Sequence, residues 1–248
     1  MSHTLVLDLG NSRMKWGLHG PRGWAALGVT ANAEIGTLSL RDWQNLPRPV
    51  RAVGVNVAGE AARVRVEAQI ARWRLVPQWL TSSAVACGVS NGYRVPGQLG
   101  ADRWASLVAA RQRTVASETP QTPAVVVNAG TAVTIDALDG EGRFLGGFIL
   151  PGLRLMLRAL AENTAALKVP PGTFSVFPDN TPDALYAGSI LAVTGAIAQV
   201  RARLDREDAL ARCFLAGGAA QEIAPHLTPP VEVVDNLVLE GVLALADA

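Results

Sequence analysis

Leu7-Asp8-Leu9-Gly10-Asn11-Ser12 and, far downstream, Val127-Asn128-Ala129-Gly130-Thr131-Ala132 are the two stretches that decide how this chain folds. Each is the end of an apolar strand running into a tight turn. A second strand-like run follows in both copies, Met14 to Leu18 and Val133 to Leu138. The in-register recurrence of strand, glycine turn and strand predicts a duplicated unit.

The surrounding pattern supports that reading. Beyond the first hairpin, Val53 to Val57 reads as a buried strand, Glu60 to Trp73 as a helix, Leu75 to Leu80 as a strand and Ala101 to Arg113 as a helix. Thr114 to Pro123 is polar and contains two prolines that would interrupt a helix, which makes it a join. Ala124 to Val127 then restarts the pattern, Asp139-Gly140-Glu141-Gly142 is a reverse turn, and Arg143 to Leu150 is a third strand. Helices follow at Leu153 to Leu167, Pro182 to Leu204 and Leu237 to Ala246, with a short strand at Phe214 to Ala216. The expectation is an α/β protein of two duplicated halves with a cleft between them, residues 1-117 and 118-248.

Composition narrows the function classes. With 248 residues, 49% of them hydrophobic, the chain can bury a substantial core, and disorder is not expected. A net charge of +1 gives no global field toward nucleic acid or anionic lipid, so neither is expected as a partner. Cys87 and Cys213 stand far apart in a chain too long to need covalent staples, and no secretory signal or run of roughly 20 apolar residues is apparent. A reduced cytoplasmic setting is expected.

The three histidines, His3, His19 and His226, are too dispersed for a zinc site, and neither Lys15 nor Lys168 follows a glycine as in a GK[ST] phosphate loop. GxGxxG is also absent. A nucleotide would need another device. A tight turn with glycine and small polar side chains is one, because glycine lets the backbone approach closely and offer N–H groups to phosphate. Asp8 beside such a turn could hold Mg²⁺ directly or through water, with Lys15 supplying a compact positive charge. An isolated DxGN is equally a plain hairpin turn, and Lys15 equally a solvated side chain; the second turn at Gly130-Thr131 favours the functional reading.

Other segments also read two ways. Gly100-Ala101-Asp102-Arg103 sets a carboxylate beside a guanidinium at a helix start. Asp102 is either a helix cap or the group that takes a proton from an attacking hydroxyl, with Arg103 pairing a substrate carboxylate. Thr181 before Pro182 has the pattern of an N-cap followed by proline. Tyr93 is either a packed surface phenol or the wall of a site, and Gly217-Gly218 either a plain turn or a close backbone approach to a ring.

Taken together, these residues resemble the type III pantothenate kinases of the acetate and sugar kinase, Hsp70 and actin superfamily. The resemblance is carried by Asp8 to Lys15, Gly100 to Arg103, Gly130 to Asp136, Gly146 to Gly152 and Asn236 to Gly241, in that order. It implies two ribonuclease-H-like (actin-like ATPase) halves, a homodimer, ATP with Mg²⁺ as cofactors, and pantothenate as the acceptor of a phosphoryl group at the start of coenzyme A synthesis. By motif position it implies that Asp102 is the catalytic base. ATP would be bound by Asp8, Leu9, Gly10, Asn11, Ser12, Arg13, Met14 and Lys15 with Gly130 and Thr131. Pantothenate would meet Tyr93, Gly100, Ala101, Asp102, Arg103 and Thr181. Many relatives carry an aspartate, associated with a monovalent cation such as K⁺ or NH₄⁺, where this chain has Asn128; the amide keeps an oxygen and loses the charge. The rival readings are another small-metabolite kinase of the same superfamily and a nonenzymatic regulator of the Bvg accessory factor type.

Overall fold

The computed structural model describes residues 2–164, 169–205 and 210–248. These fall into two compact units, Met1–Gln112 with Asn236–Ala248, and Arg113–Asp235.

The first unit opens with a meander of three antiparallel strands, β1 (Thr4–Leu9), β2 (Arg13–Gly20) and β3 (Gly23–Ala31). A parallel strand β4 (Arg51–Asn56) joins the other edge of β1; α1 (Glu60–Ile70) then leads to a short parallel strand, β5 (Gln78–Trp79). The order is β3-β2-β1-β4-β5. Side chains alternate across β1. Leu5, Leu7 and Leu9 pack with Ala62, Val66 and Ile70 of α1, while Val6 faces a second apolar cluster with Val53 and Val55. That period of two puts Asp8 on the Val6 face.

A hairpin, β6 (Val85–Ala86) and β7 (Val89–Asn91), turns through Cys87 and Gly88. Both turn residues have positive φ, 48° and 75°, as a two-residue hairpin turn with the sheet's twist requires. α2 (Ala101–Val115) follows.

The second unit repeats the plan. Strands β8 (Ala124–Ala129), β9 (Ala132–Leu138) and β10 (Arg143–Pro151) form an antiparallel meander, and after α3 (Leu153–Asn163) and α4 (Thr181–Ala202), β11 (Arg212–Ala216) lies parallel to β8. A single helical turn, α5 (Ala220–Ile223), precedes the parallel strand β12 (Val231–Val233). Within this unit the order β12-β11-β8-β9-β10 mirrors the first. This is the ribonuclease-H-like plan, used twice. Val125, Val127 and Ala129 bury against Ile190, Val193 and Ile197 of α4. α4 is long and apolar enough to cross a membrane by length and composition alone, but Ile190, Val193, Ile197 and Val200 are spent on this core.

The last helix, α6 (Leu237–Ala246), packs on β1 and β4. Its Leu239 and Val242 join Val6, Val53 and Val55, and Arg51 holds its end by donating to the Ala246 carbonyl (3.0 Å) and pairing with Asp247 (2.5 Å). A cut at 117/118 therefore assigns α6 to the wrong sheet: the apolar face of a terminal helix follows its core, not its place in the chain.

Other expectations change in detail. β3 was not expected, and the run Leu75 to Leu80 keeps strand pairing only at Gln78–Trp79. The helix expected to reach Leu167 ends at Asn163; residues 165–168, including Lys168, lie outside the described residues.

Candidate active site

The first turn closes when the Gly10 N–H donates to the Arg13 carbonyl (3.1 Å), and the second when the Gly130 N–H donates to the Ala132 carbonyl (2.9 Å). Each glycine's amide is thus used by its own hairpin. Neither glycine has a left-handed φ, so the expected demand for unusual dihedrals is not met at either turn. The turn tips, Asn11 and Ser12 in one unit and Thr131 in the other, are exposed.

Close packing shapes the second turn from behind. A Cβ at Gly152 would lie 2.2 Å from the Gly130 carbonyl oxygen and 2.7 Å from that of Thr131, and the Gly152 N–H donates to Thr131 O (2.9 Å). Gly217, at φ +101°, leaves no room for a side chain because the Ala129 carbonyl oxygen would be 2.4 Å from its Cβ. The structure explains Gly217 by this backbone approach, without a ligand ring.

In the first unit, Asp8 and Lys15 face each other across β1 and β2, on the same side of the sheet. α6 covers that side, as does the start of α2, which contributes Ala105 to the same apolar cluster. α2 and α6 are in backbone contact: a Cβ on Gly241 would come within 1.8 Å of the Ala105 carbonyl oxygen. The sheet face and this close helix approach together bring Asp102, at the start of α2, within electrostatic range of Asp8.

The two carboxyl groups differ. Burial first, then the nearby Asp102, pushes the Asp8 carboxyl from 3.8 up to about 7, with Lys15 pulling in the opposite direction. Asp8 keeps some solvent access although protein surrounds it. Burial also raises Asp102, offset by the Arg103 backbone N–H, which donates to its Oδ1 (2.8 Å), and by the Arg103 guanidinium. The charge of Asp102 adds to the pressure on Asp8 to stay protonated. A Cβ at Gly100 would sit 2.6 Å from Asp102 Oδ1, so the glycine leaves the carboxylate its place.

Arg103 is 5% exposed; its Nη1 donates to the Tyr93 hydroxyl (3.1 Å), and its guanidinium carbon lies 5.8 Å from the Tyr93 ring centre. Tyr93 is thus a strut for the arginine rather than a loose surface phenol. Asp8, Lys15, Tyr93, Gly100, Asp102 and Arg103 all belong to the first unit; Asn128, Gly130, Thr131 and Thr181 belong to the second. Thr181 is exposed and is the first residue of α4, not its cap: the Asn180 side chain accepts from the Asp183 N–H (3.0 Å). Asn128 stands opposite Thr134, the position pair that matches Asp8 and Lys15 in the first unit, and the Thr134 hydroxyl is buried without a hydrogen-bond partner.

The family model and the related sequences agree on one family. The family model for type III pantothenate kinase matches residues 4–203. The chain belongs to the type III pantothenate kinase family. A type III pantothenate kinase of Leptothrix cholodnii is 45% identical over 98% of this chain and 95% of its own length, and one of Verminephrobacter eiseniae is 43% identical over 98% and 96%. Among solved structures, a Campylobacter jejuni protein described as a Baf family transcriptional activator superposes with a TM-score of 0.63 at 21% identity, covering 98% of this chain and 97% of its own. At that identity the likeness speaks for the fold alone. The two ribonuclease-H-like units of this kinase family member are those of the actin-like ATPase and sugar kinase fold.

Proposed function

We propose that this chain transfers the γ-phosphoryl group of ATP to the primary hydroxyl of pantothenate, giving 4′-phosphopantothenate in the first step of coenzyme A synthesis. The observation that carries the reading is the full-length family relationship together with an ionisable Asp102 held beside a buried Arg103. In this reading Asp102 takes the proton as the alcohol O–H bond breaks. The alcohol oxygen forms the new bond to phosphorus, and ADP leaves with the electron pair of the old one. A positioned base of this kind contributes roughly 10²–10⁴ in rate. Arg103, fixed by Tyr93, pairs the pantothenate carboxylate, with Gly100 and Ala101 beside it and Thr181 as a further contact.

The nucleotide phosphates are assigned to the turns: Asp8 through Lys15 in the first unit, Gly130 and Thr131 in the second. Mg²⁺ suits Asp8, directly or through water. No three metal-ligating side chains cluster among the described residues, but Mg²⁺ is ordinarily held by one or two carboxylates plus phosphate and water. It would neutralise phosphate charge. A monovalent cation at Asn128 would be held by neutral oxygens only, those of Asn128 and Thr134, and we assign it a weak effect. The enzyme is read as a cytoplasmic homodimer; exposed Phe148, Ile149, Phe177 and Leu191 in the second unit supply apolar surface for such a contact.

The test is steady-state ADP release with ATP, Mg²⁺ and pantothenate, with and without K⁺ or NH₄⁺, and mass detection of the phosphorylated product. Release that depends on pantothenate supports the reading. Release that depends instead on a sugar or acetate, or no release at all, refutes it.

A further inference from the structure

We propose that Asn32 is a positioning residue that staples the first turn into its nucleotide-binding shape. Its side-chain Nδ2 donates to the carbonyls of Gly10 (2.8 Å) and Asn11 (2.9 Å), and its backbone N–H donates to the carbonyl of Ser12 (3.1 Å). One residue therefore ties down three consecutive carbonyls of the turn. In a planar trans peptide the carbonyl of one residue and the N–H of the next point in opposite directions. With the Gly10 carbonyl drawn toward Asn32, the N–H group of Asn11 faces the other way, on the exposed side of the turn. A backbone N–H aimed outward at an exposed glycine turn can meet an anionic oxygen.

The remaining atoms of Asn32 argue that this arrangement is specific. Its Oδ1 is buried without a hydrogen-bond partner, and its carbonyl accepts from Arg65 Nη1 (3.2 Å). An unpaired buried oxygen opposes folding. A residue that only needed to fold here could be smaller; two N–H donors on one nitrogen are what the turn requires. Asn32 directly follows the third strand of the meander, so the strand order of the sheet brings it back beside the turn.

The inference rests on the reading that the Gly10 turn binds nucleotide, so the experiment separates the two. Asn32→Ala, Asn32→Ser and Lys15→Met are compared with the unaltered chain for the KM of ATP, the KM of pantothenate, kcat and Tm. Asn32→Ala is expected to raise the KM for ATP roughly tenfold, as expected for losing two neutral hydrogen bonds. The KM for pantothenate and kcat at saturating ATP should change little, and Asn32→Ser, with one donor, should fall between. A lower Tm with an unchanged KM for ATP, or an equal rise in both KM values, overturns the stapling role. If Asn32→Ala does not fold, the serine variant decides on the same criteria. When Lys15→Met weakens ATP and the Asn32 variants do not, only the staple is refuted; when none weakens ATP, the turn reading falls with it.

Discussion

Replacing Asp8 with asparagine is expected to stabilise the unliganded protein at alkaline pH while removing its turnover. The Asp8 carboxyl is pushed from 3.8 to about 7, mainly by burial. Between those values the folded chain holds a proton that the unfolded chain has released, so the associated stability is present at low pH and is lost as pH rises through the folded value. At about 1.4 kcal/mol per pH unit the whole interval is worth at most ~4 kcal/mol, and the partial solvent access of Asp8 argues for a value nearer ~2. Asparagine does not titrate. The Tm gap between Asp8→Asn and the unaltered chain should thus be small near about pH 4 and widen by several degrees to a plateau above about pH 8. Thermal denaturation in EDTA at a series of pH values measures it, and taking the difference between the two chains removes the other titrating groups. A gap that does not change with pH, or an asparagine variant less stable at alkaline pH, would refute the assignment of a strained carboxylate at this position.

Three further outcomes follow from the site. Asp102→Asn should lose most of its turnover and keep ATP affinity, read by steady-state kinetics and nucleotide titration; near-normal kcat would remove Asp102 as the base. Arg103→Ala should weaken pantothenate binding by about 2–4 kcal/mol, since a buried charge-assisted pair is lost; calorimetric titration showing an unchanged Kd would reject the pairing. Gly241→Ala must push α6 away from the Ala105 carbonyl, a clash of the overpacking kind that costs about 1–3 kcal/mol. It should lower Tm and kcat together because α2 carries Asp102, and a Tm unchanged from the parent chain would mean the helices are not locked there.

The duplicated meander was legible because its signals are local: apolar alternation and a glycine turn at each copy. Asp8, Asp102 and Arg103 stood out as candidates by residue type, but that they lie near one another depends on which sheet face each occupies. β3 was not legible. Its sequence, Gly23 to Ala31, mixes glycine and alanine on an exposed edge, so the alternation is faint. Missing it hid Asn32, whose role depends on strand order and leaves no motif. The return of α6 to the first sheet was hidden for a related reason: its mostly apolar surface announces burial but does not name the core. Gly152 and Gly241 stood within segments that carry the family resemblance, yet only backbone distances show what their missing side chains make possible.

The duplication also shows where the two units part chemically. At matching positions of the same strand pair, the first unit has Asp8 opposite Lys15 and the second has Asn128 opposite Thr134. The backbone plan places both pairs in the same register, and they differ in charge and in side-chain reach. A carboxylate held near pH 7 is poised to exchange its proton for a cation; an amide facing a hydroxyl can offer only neutral oxygens. The first pair therefore carries ionisable groups, and the second carries none. Asn128→Asp is the variant that would blur this division: a gain of K⁺ or NH₄⁺ activation in it, absent from the unaltered chain, would show that the amide set the difference. Equal cation response in both would show that the neutral oxygens already suffice.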